Sequence, residues 1–462
     1  MISTGGTDKV LTEAGIKVTP IEKITGNPKE SFDGRIKTIS FQIESGILYD
    51  RKNPKHVKEA EKLNIPQIDV VVCNLYPPEN IDVGGPTMIR AAAKNYENVL
   101  VLVDPKDYEK INGKVTDKIR KELAAKAFYH LSLYDSQIGS FLNDESFPEE
   151  LTVPLKKLKD LRYGENPHQR GALYQMPNTS SPLSKLKHLW GRELSGTNSG
   201  DIYTGIETVR QFKEPAAAVI KHLSPCGIAL GKDVKEALQR AIESDPVSAF
   251  GGVVVLNTKM DEEAAHAIGH MDIVACPEIS GKALEILKRI RKSMGIYTFG
   301  KIPQTRSEKW DMRWFGGAML LQDFDDQTEA GFKNWEVVTR KKPTSKQLEQ
   351  MQFGFKAVKA VRSNAVLVVD ENIPMTRGIG SGQTSRIGAT KIALEQAGQF
   401  AKGGILVSDS FFPFDDSVKL AAKYGISAIV EQGGSINDSQ SIKVANETGI
   451  TMIFSRRRAF RH

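Results

Sequence analysis

The feature that most constrains the fold lies in the last hundred residues. Short apolar runs at 365–369, 405–408, 428–431 and 452–454 alternate there with helix-spaced segments at 417–423 and 440–447. Strands that alternate with helices are joined by crossovers, which place helices on the sheet faces. The same rhythm holds upstream. Strands at 216–220 and 253–256 flank a helix at 234–243, and Thr344 caps a helix whose spacing runs through 346–361. The fold class is α/β, with largely parallel sheets. No short-period repeat interrupts the pattern.

The first part is organised differently. It opens on a strand end, Ile2-Ser3, a Gly5-Gly6 turn and a helix from about 8 to 14. Apolar runs at 70–73 and 99–103 read as buried parallel strands around a helix at 87–94, and 117–143 reads as one long helix. A sheet domain rarely begins with so short a strand at a glycine loop, so a missing segment is expected ahead of Met1. Two prolines and a lysine cluster between 147 and 160 mark a boundary, which gives domains 1–150 and 151–462.

Composition narrows the function. Lysine and arginine number 63 against 56 acids, a surplus of 7 that suits anionic partners. Cys73, Cys226 and Cys276 are far apart, which excludes a disulfide framework and fits a reducing cytoplasm. No run of 18 apolar residues is present, so no membrane helix is expected, and the N-terminus has no signal-peptide pattern.

Several constellations could carry chemistry. Thr4-Gly5-Gly6-Thr7 joins a strand to a helix and serves either as a plain turn or as an anion cradle. Arg35, Lys37 and Thr38 put two cations and a hydroxyl within four residues, a solvated edge or a phosphate contact. In an extended segment the two cations share a side. Asn74 and Tyr76 follow an apolar strand, and Asp82, Gly84-Gly85, Arg90 and Lys94 come next. A carboxylate, a tyrosine and a lysine together suit a ring closure that loses water. Lys221-His222 ends a strand, where the imidazole could act as a base beside an ammonium, although such a pair is often surface decoration. Pro225-Cys226 lacks the second cysteine and the upstream His-x-Glu of a zinc deaminase, so no metal is expected. The Gly378–Arg386 segment suits a phosphate or carboxylate, and Asp409 followed by Phe411, Phe412 and Phe414 suits a flat heterocycle. Gly433-Gly434-Ser435 is a further anion-friendly turn, and the C-terminus is basic.

Taken in order, the motifs resemble one family over nearly the whole chain. They are Arg162-Tyr163-Gly164-Glu165-Asn166-Pro167-His168-Gln169, Lys221-His222 with Pro225, residues 245–252, Ser363-Asn364, residues 378–386, residues 408–414 and Phe460-Arg461-His462. The family is the bifunctional purine biosynthesis proteins, with aminoimidazole carboxamide ribonucleotide (AICAR) formyltransferase and inosine monophosphate (IMP) cyclohydrolase activities. The resemblance implies formyl transfer from 10-formyltetrahydrofolate to AICAR, then dehydrative closure of the formylated product (FAICAR) to IMP. It implies His222 as base and Lys221 as polarising group. Arg162, Tyr163, Gly251, Asp272, Asn364 and Arg386 would hold the nucleotide, and Asp409, Gly434, Ser435 and Arg458 would surround the folate. In the first domain Thr4, Gly5, Gly6, Thr7, Arg35, Lys37, Thr38 and Asn74 would hold the product, with Lys94 as proton shuttle beside Tyr76 and Asp82. The implied folds are a methylglyoxal-synthase-like domain, truncated at its start, and two cytidine-deaminase-like halves without zinc. The implied assembly is a homodimer.

The sequence departs from the family pattern at Ile39-Ser40-Phe41 and at Ser195-Gly196-Thr197-Asn198-Ser199. Two other readings stand beside this one. The first is formyl transfer alone, with the first domain as scaffold. The second is a basic nucleic-acid-binding protein, which dispersed charge and 7% aromatics disfavour.

Overall fold

The computed structural model describes residues 1–28, 31–303, 305–326 and 328–462. The chain forms two compact units, Met1–Leu155 and Lys156–His462. The lysines expected in a linker begin an antiparallel pair instead, Lys156–Leu161 with Gly171–Gln175.

In the first unit Ile2–Ser3 pairs in parallel with Thr19–Pro20, and Val70–Val72 with Leu100–Leu102. Helix Gly84–Lys94 links the second pair, and Thr116 caps the long helix Asp117–Leu142. Ile47, Ile89, Ala92, Val101, Ala127 and Leu131 form the core. The strand at 70–72 is not covered on both faces as expected. Val71 is buried, whereas Val70 and Val72 are 42% and 53% exposed. Successive strand side chains point to opposite faces, and only Val71 reaches this core.

The second unit holds two six-stranded sheets of one design. The first runs Lys187–Trp190, Gly295–Thr298, Ile273–Cys276, Val253–Leu256, Ala216–Lys221, Ser224–Leu230, and the second Glu336–Val337, Thr451–Phe454, Ala428–Glu431, Ile405–Ser408, Val366–Val369, Thr376–Gly380. In each, the second, third and fourth strands are mutually parallel and every other pairing is antiparallel. The sheets are therefore mixed rather than largely parallel. Each contains a hairpin, and so short a link can join only antiparallel strands.

Packing repeats with the topology. Helices Gly196–Val209 and Ser345–Val358 contribute Ile202, Ile206, Phe355 and Val358 to one core shared by the inner faces of both sheets. Helices Val234–Glu243 and Arg386–Ala397 cover the outer faces. A methyl on Gly205 would run into Val255, and one on Gly354 into Val407 and Val369, so each inner helix lies close on its sheet because it lacks a side chain there. On the outer faces Gly227 meets the Ala241 carbonyl, and Gly378 the Ala393 carbonyl. The two sheets meet at their hairpins, through an Ala229–Met375 bridge and a hydrogen bond from Ile228 N–H to Thr376 Oγ1 of 3.1 Å.

Candidate active sites

In the first unit, Thr4 is extended and the helix begins at Gly5, not near residue 8. Its first backbone hydrogen bond runs from Asp8 N–H to Thr4 O at 2.9 Å. A methyl on Gly5 or Gly6 would meet nothing within 4 Å, so both glycines face open space, and Thr7 is exposed beside them. Arg35 and Lys37 are exposed but not in an extended segment. Left-handed Phe32 and Asp33 and Gly34 at φ 79° turn the chain just before them. Thr38 Oγ1 lies against Gly84 at the start of helix Gly84–Lys94.

Asp82 closes the loop between Cys73 and Gly85. Its Oδ1 accepts the Gly85 N–H at 2.8 Å, its Oδ2 the Tyr76 N–H at 3.4 Å, and its own N–H donates to Tyr134 Oη at 2.8 Å. Burial, with the Asp82 charge adding, pushes the Cys73 thiol up to about 12, so it stays protonated. Asn74 and Tyr76 are exposed. Lys94 is exposed at the last position of that helix. At a rise of 1.5 Å per residue its backbone lies about 15 Å along the axis from Gly84. The fold thus gathers Thr38, Tyr76, Asp82 and Gly84 at one helix end, while the backbone of Lys94 stands at the other.

In the second unit, Lys221 and Ser224 are the last pair of the hairpin, so His222 and Leu223 form a two-residue turn. Both have positive φ, 55° and 63°, the signature of a type I′ turn made here without glycine. Asp201, on the inner helix, accepts the Leu223 N–H at 2.7 Å. Lys221 Nζ donates to the carbonyls of Phe250 and Ser248 at 3.0 and 3.3 Å. His222 is exposed. It lies beyond the carboxyl end of its own strand. Because that strand is antiparallel to Val253–Leu256, the turn stands at the amino ends of the parallel strands, beside Gly251 and Asp272.

Gly251 has φ 72° and donates to the His270 carbonyl at 2.8 Å. The Asp272 carboxylate, expected to meet a nucleotide, is already engaged by Arg192 and by Arg291 at 2.5 Å. Arg162 is exposed and stacks over Tyr163 at 4.8 Å. The Tyr163 and Gly164 carbonyls accept the Gly196 N–H, at the start of the helix that carries Asp201.

Across the hairpin seam, Ser224 and Ser381 hydroxyls meet at 3.0 Å. Beyond Ser381, Asn364 Nδ2 donates to the Gln383 carbonyl at 2.9 Å, and its Oδ1 accepts from Arg386 at 2.7 Å. The Ser363–Asn364 peptide is cis. Arg386 and Asp409, expected on different ligands, form a buried ion pair with each other. Asp409 Oδ2 also accepts from Ser363 Oγ at 2.6 Å and from Ala365 N–H at 3.1 Å. Asp409 is fully buried, so its carboxylate faces protein rather than solvent.

The other expected folate contacts divide. Phe412 is buried in the core, whereas Phe411 and Phe414 are 37% and 61% exposed and offer the flat apolar surface. The Gly434 and Ser435 N–H groups are satisfied by Asp438, at 2.7 and 3.0 Å, so this turn is not an open anion cradle. A methyl on Gly434 would nevertheless meet nothing within 4 Å, which leaves room for a ligand against the backbone. Arg458 is exposed and stacks on Phe460 at 4.6 Å. The Gly-rich segment is likewise not a cradle throughout: Gly378 and Gly380 are in a strand, pressed against helix carbonyls.

Asp201 and Glu431 carry no signal in the sequence. Glu431 is fully buried at a strand end, where Oε2 accepts the Phe412 N–H at 2.6 Å. Burial pushes its carboxyl up to about 8. Neither has a local motif, because each acts on a residue at least 19 positions away.

A family model described as AICARFT/IMPCHase bienzyme matches residues 92–396. The chain belongs to the AICARFT/IMPCHase bienzyme family. A model described as MGS-like domain matches residues 1–100, ahead of and overlapping the bienzyme match. Among relatives, the bifunctional purine biosynthesis protein PurH of Clostridium botulinum (strain Kyoto / Type A2) is 45% identical, over 100% of this chain and 94% of its own length. Proteins of the same name from Halalkalibacterium halodurans and Oceanobacillus iheyensis are 42% and 41% identical, with the same two coverages. The similarity spans both units, and the bienzyme match takes in His222, Asn364 and Arg386.

Proposed function

We propose that the second unit transfers a formyl group from 10-formyltetrahydrofolate to AICAR at the His222 turn, and that the first unit closes the FAICAR product to IMP. As a member of the AICARFT/IMPCHase bienzyme family, the chain is a bifunctional enzyme of purine biosynthesis with AICAR formyltransferase and IMP cyclohydrolase activities. Family models match both parts, which favours this reading over formyl transfer alone.

The observation that carries the assignment is the exposed imidazole in a fixed two-residue turn, next to an ammonium and beside the Ser224–Ser381 contact across the seam. An aromatic amine is a weak nucleophile whose N–H proton must leave as nitrogen attacks the formyl carbon. His222 accepts that proton. Lys221 offers positive charge to the oxygen on which negative charge develops, and the departing folate nitrogen takes a proton as its bond to carbon breaks. Phe411 and Phe414 offer apolar faces to the pterin-sized ring.

In the first unit, the helix start at Gly5–Thr7 and the Thr38 hydroxyl suit the product's phosphate. Attack of the carboxamide nitrogen on the formyl carbon releases water and needs proton transfer in both directions, for which Tyr76, Asp82 and Lys94 are the candidates. A homodimer is the assembly we infer. Trp314 and Phe315, 74% and 62% exposed on the hairpin Asp311–Phe315 and Ala318–Gln322, are the kind of surface a second copy covers. Three free cysteines support a cytoplasmic location. Among the described residues no helix is long and apolar enough to cross a membrane.

The test is to supply AICAR and 10-formyltetrahydrofolate and follow both products. The wild-type chain should release tetrahydrofolate and form IMP. Lys94→Ala should keep releasing tetrahydrofolate while FAICAR accumulates. Absence of tetrahydrofolate release from the wild-type chain would overturn the proposal.

A further inference from the structure

The His222 turn is built from residues that rarely adopt its backbone shape. Type I′ turns favour Asn-Gly because both central residues need positive φ, and here a histidine and a leucine supply it. Something outside the hairpin must hold such a turn, since residues in sparsely populated backbone regions persist only when their surroundings fix them. Two contacts do so, and both come from the inner helix Gly196–Val209. Asp201, 4% exposed, accepts the Leu223 N–H at 2.7 Å. Gly200, the residue before it, leaves the space that Leu223 Cδ2 fills; a methyl there would collide with that atom.

We propose that Asp201 is the positioning residue of the formyl-transfer site, fixing the His222 imidazole by anchoring the backbone of the residue that follows it. This rests on the reading that His222 is the base. Asp201 touches neither substrate nor reacting atom, and its hydrogen bond goes to the backbone of the turn. Burial raises its carboxyl above the ordinary range, while the Leu223 N–H and the nearby His222 side chain act the other way, so the turn and the carboxylate stabilise each other. The charged groups at the turn are Asp201 from the helix and Lys221 from the strand, and the latter is tied to the Ser248 and Phe250 carbonyls. Leu223 is 48% exposed, so its own packing is a weak clamp and the hydrogen bond to Asp201 is the principal one.

The experiment compares Asp201→Ala, Asp201→Asn and His222→Ala in the full chain, with formyl transfer followed by tetrahydrofolate release and ring closure followed with FAICAR supplied. Asp201→Ala should lower the kcat of formyl transfer by about 10- to 100-fold, with KM for AICAR and folate within about twofold, the split expected when a catalytic group is displaced but binding is intact. Asp201→Asn keeps an oxygen that can accept the Leu223 N–H and should retain kcat within about threefold. Ring closure should be unchanged in all three. Unchanged formyl-transfer kcat in Asp201→Ala, together with loss in His222→Ala, would overturn the positioning role and leave the base assignment standing. Undiminished turnover in His222→Ala would overturn the assignment itself. If Asp201→Ala does not fold, Asp201→Asn decides: kcat loss as deep as in His222→Ala contradicts anchoring through the Leu223 hydrogen bond.

Discussion

The two halves of the second unit share a strand order and even the glycines that let helices lie close on their sheets, yet their hairpin links differ. In the first half the link is the two-residue His222-Leu223 turn, exposed and left-handed. In the second it is longer, residues 370–375. There Asp370 accepts the Asn372 and Ile373 N–H groups at 2.9 and 3.1 Å and pairs with Arg377 at 2.7 Å. The link of the first half presents an exposed imidazole, whereas that of the second ties its charge down, Asp370 to Arg377. The scaffold repeats, and the differences lie in the links and strand ends, where side chains can change without disturbing the core.

The largest difference between the halves should lie at the buried pair. Arg386→Met leaves Asp409 buried without its counter-charge and should cost about 3–5 kcal/mol in denaturant unfolding, whereas replacing both by apolar residues should recover much of that loss. The looser first-half counterpart, Asp272 between Arg192 and Arg291, is about a quarter exposed. Asp272→Asn should therefore cost less than Arg386→Met.

The packing glycines sharpen the likeness of the halves. Gly205→Ala and Gly354→Ala each force a methyl into strand valines and should each cost about 1–3 kcal/mol, read from melting curves. A loss at only one would show that the two crossings are not equivalent.

An effect graded in pH concerns Glu431, which belongs to the second half alone. Burial holds its carboxyl near 8 against an ordinary 4.5. Between those values the native state keeps a proton that the unfolded chain has lost. Stability should therefore fall as pH rises through that window, by at most about 1.4 kcal/mol per pH unit. Above about 8 the slope should vanish, and Glu431→Gln should flatten it throughout.

Much of this architecture was legible in the sequence. The strands Val253–Leu256, Ile405–Ser408 and Ala428–Glu431, and the helix Val234–Glu243, lie where apolar periodicity puts them. Strand direction was not legible, because an apolar run reads the same both ways and only the links decide. The helix at Gly5 began earlier than expected because glycines, read as a turn, can also occupy a first helical turn under an extended Thr4. The site was legible as residue types but not as partners. Arg386 and Asp409 each resemble ligand-binding groups in isolation, and nothing local shows that a charge 23 residues away consumes them. Asp201 gave no signal, since its task is fixed by the fold.

The most direct measurement is tetrahydrofolate release by His222→Ala at saturating AICAR and 10-formyltetrahydrofolate, alongside a melting curve. The account predicts a fall of at least about 100-fold with an unchanged melting temperature, because an exposed side chain is removed and general-base assistance is lost. Turnover equal to that of the wild-type chain would contradict it.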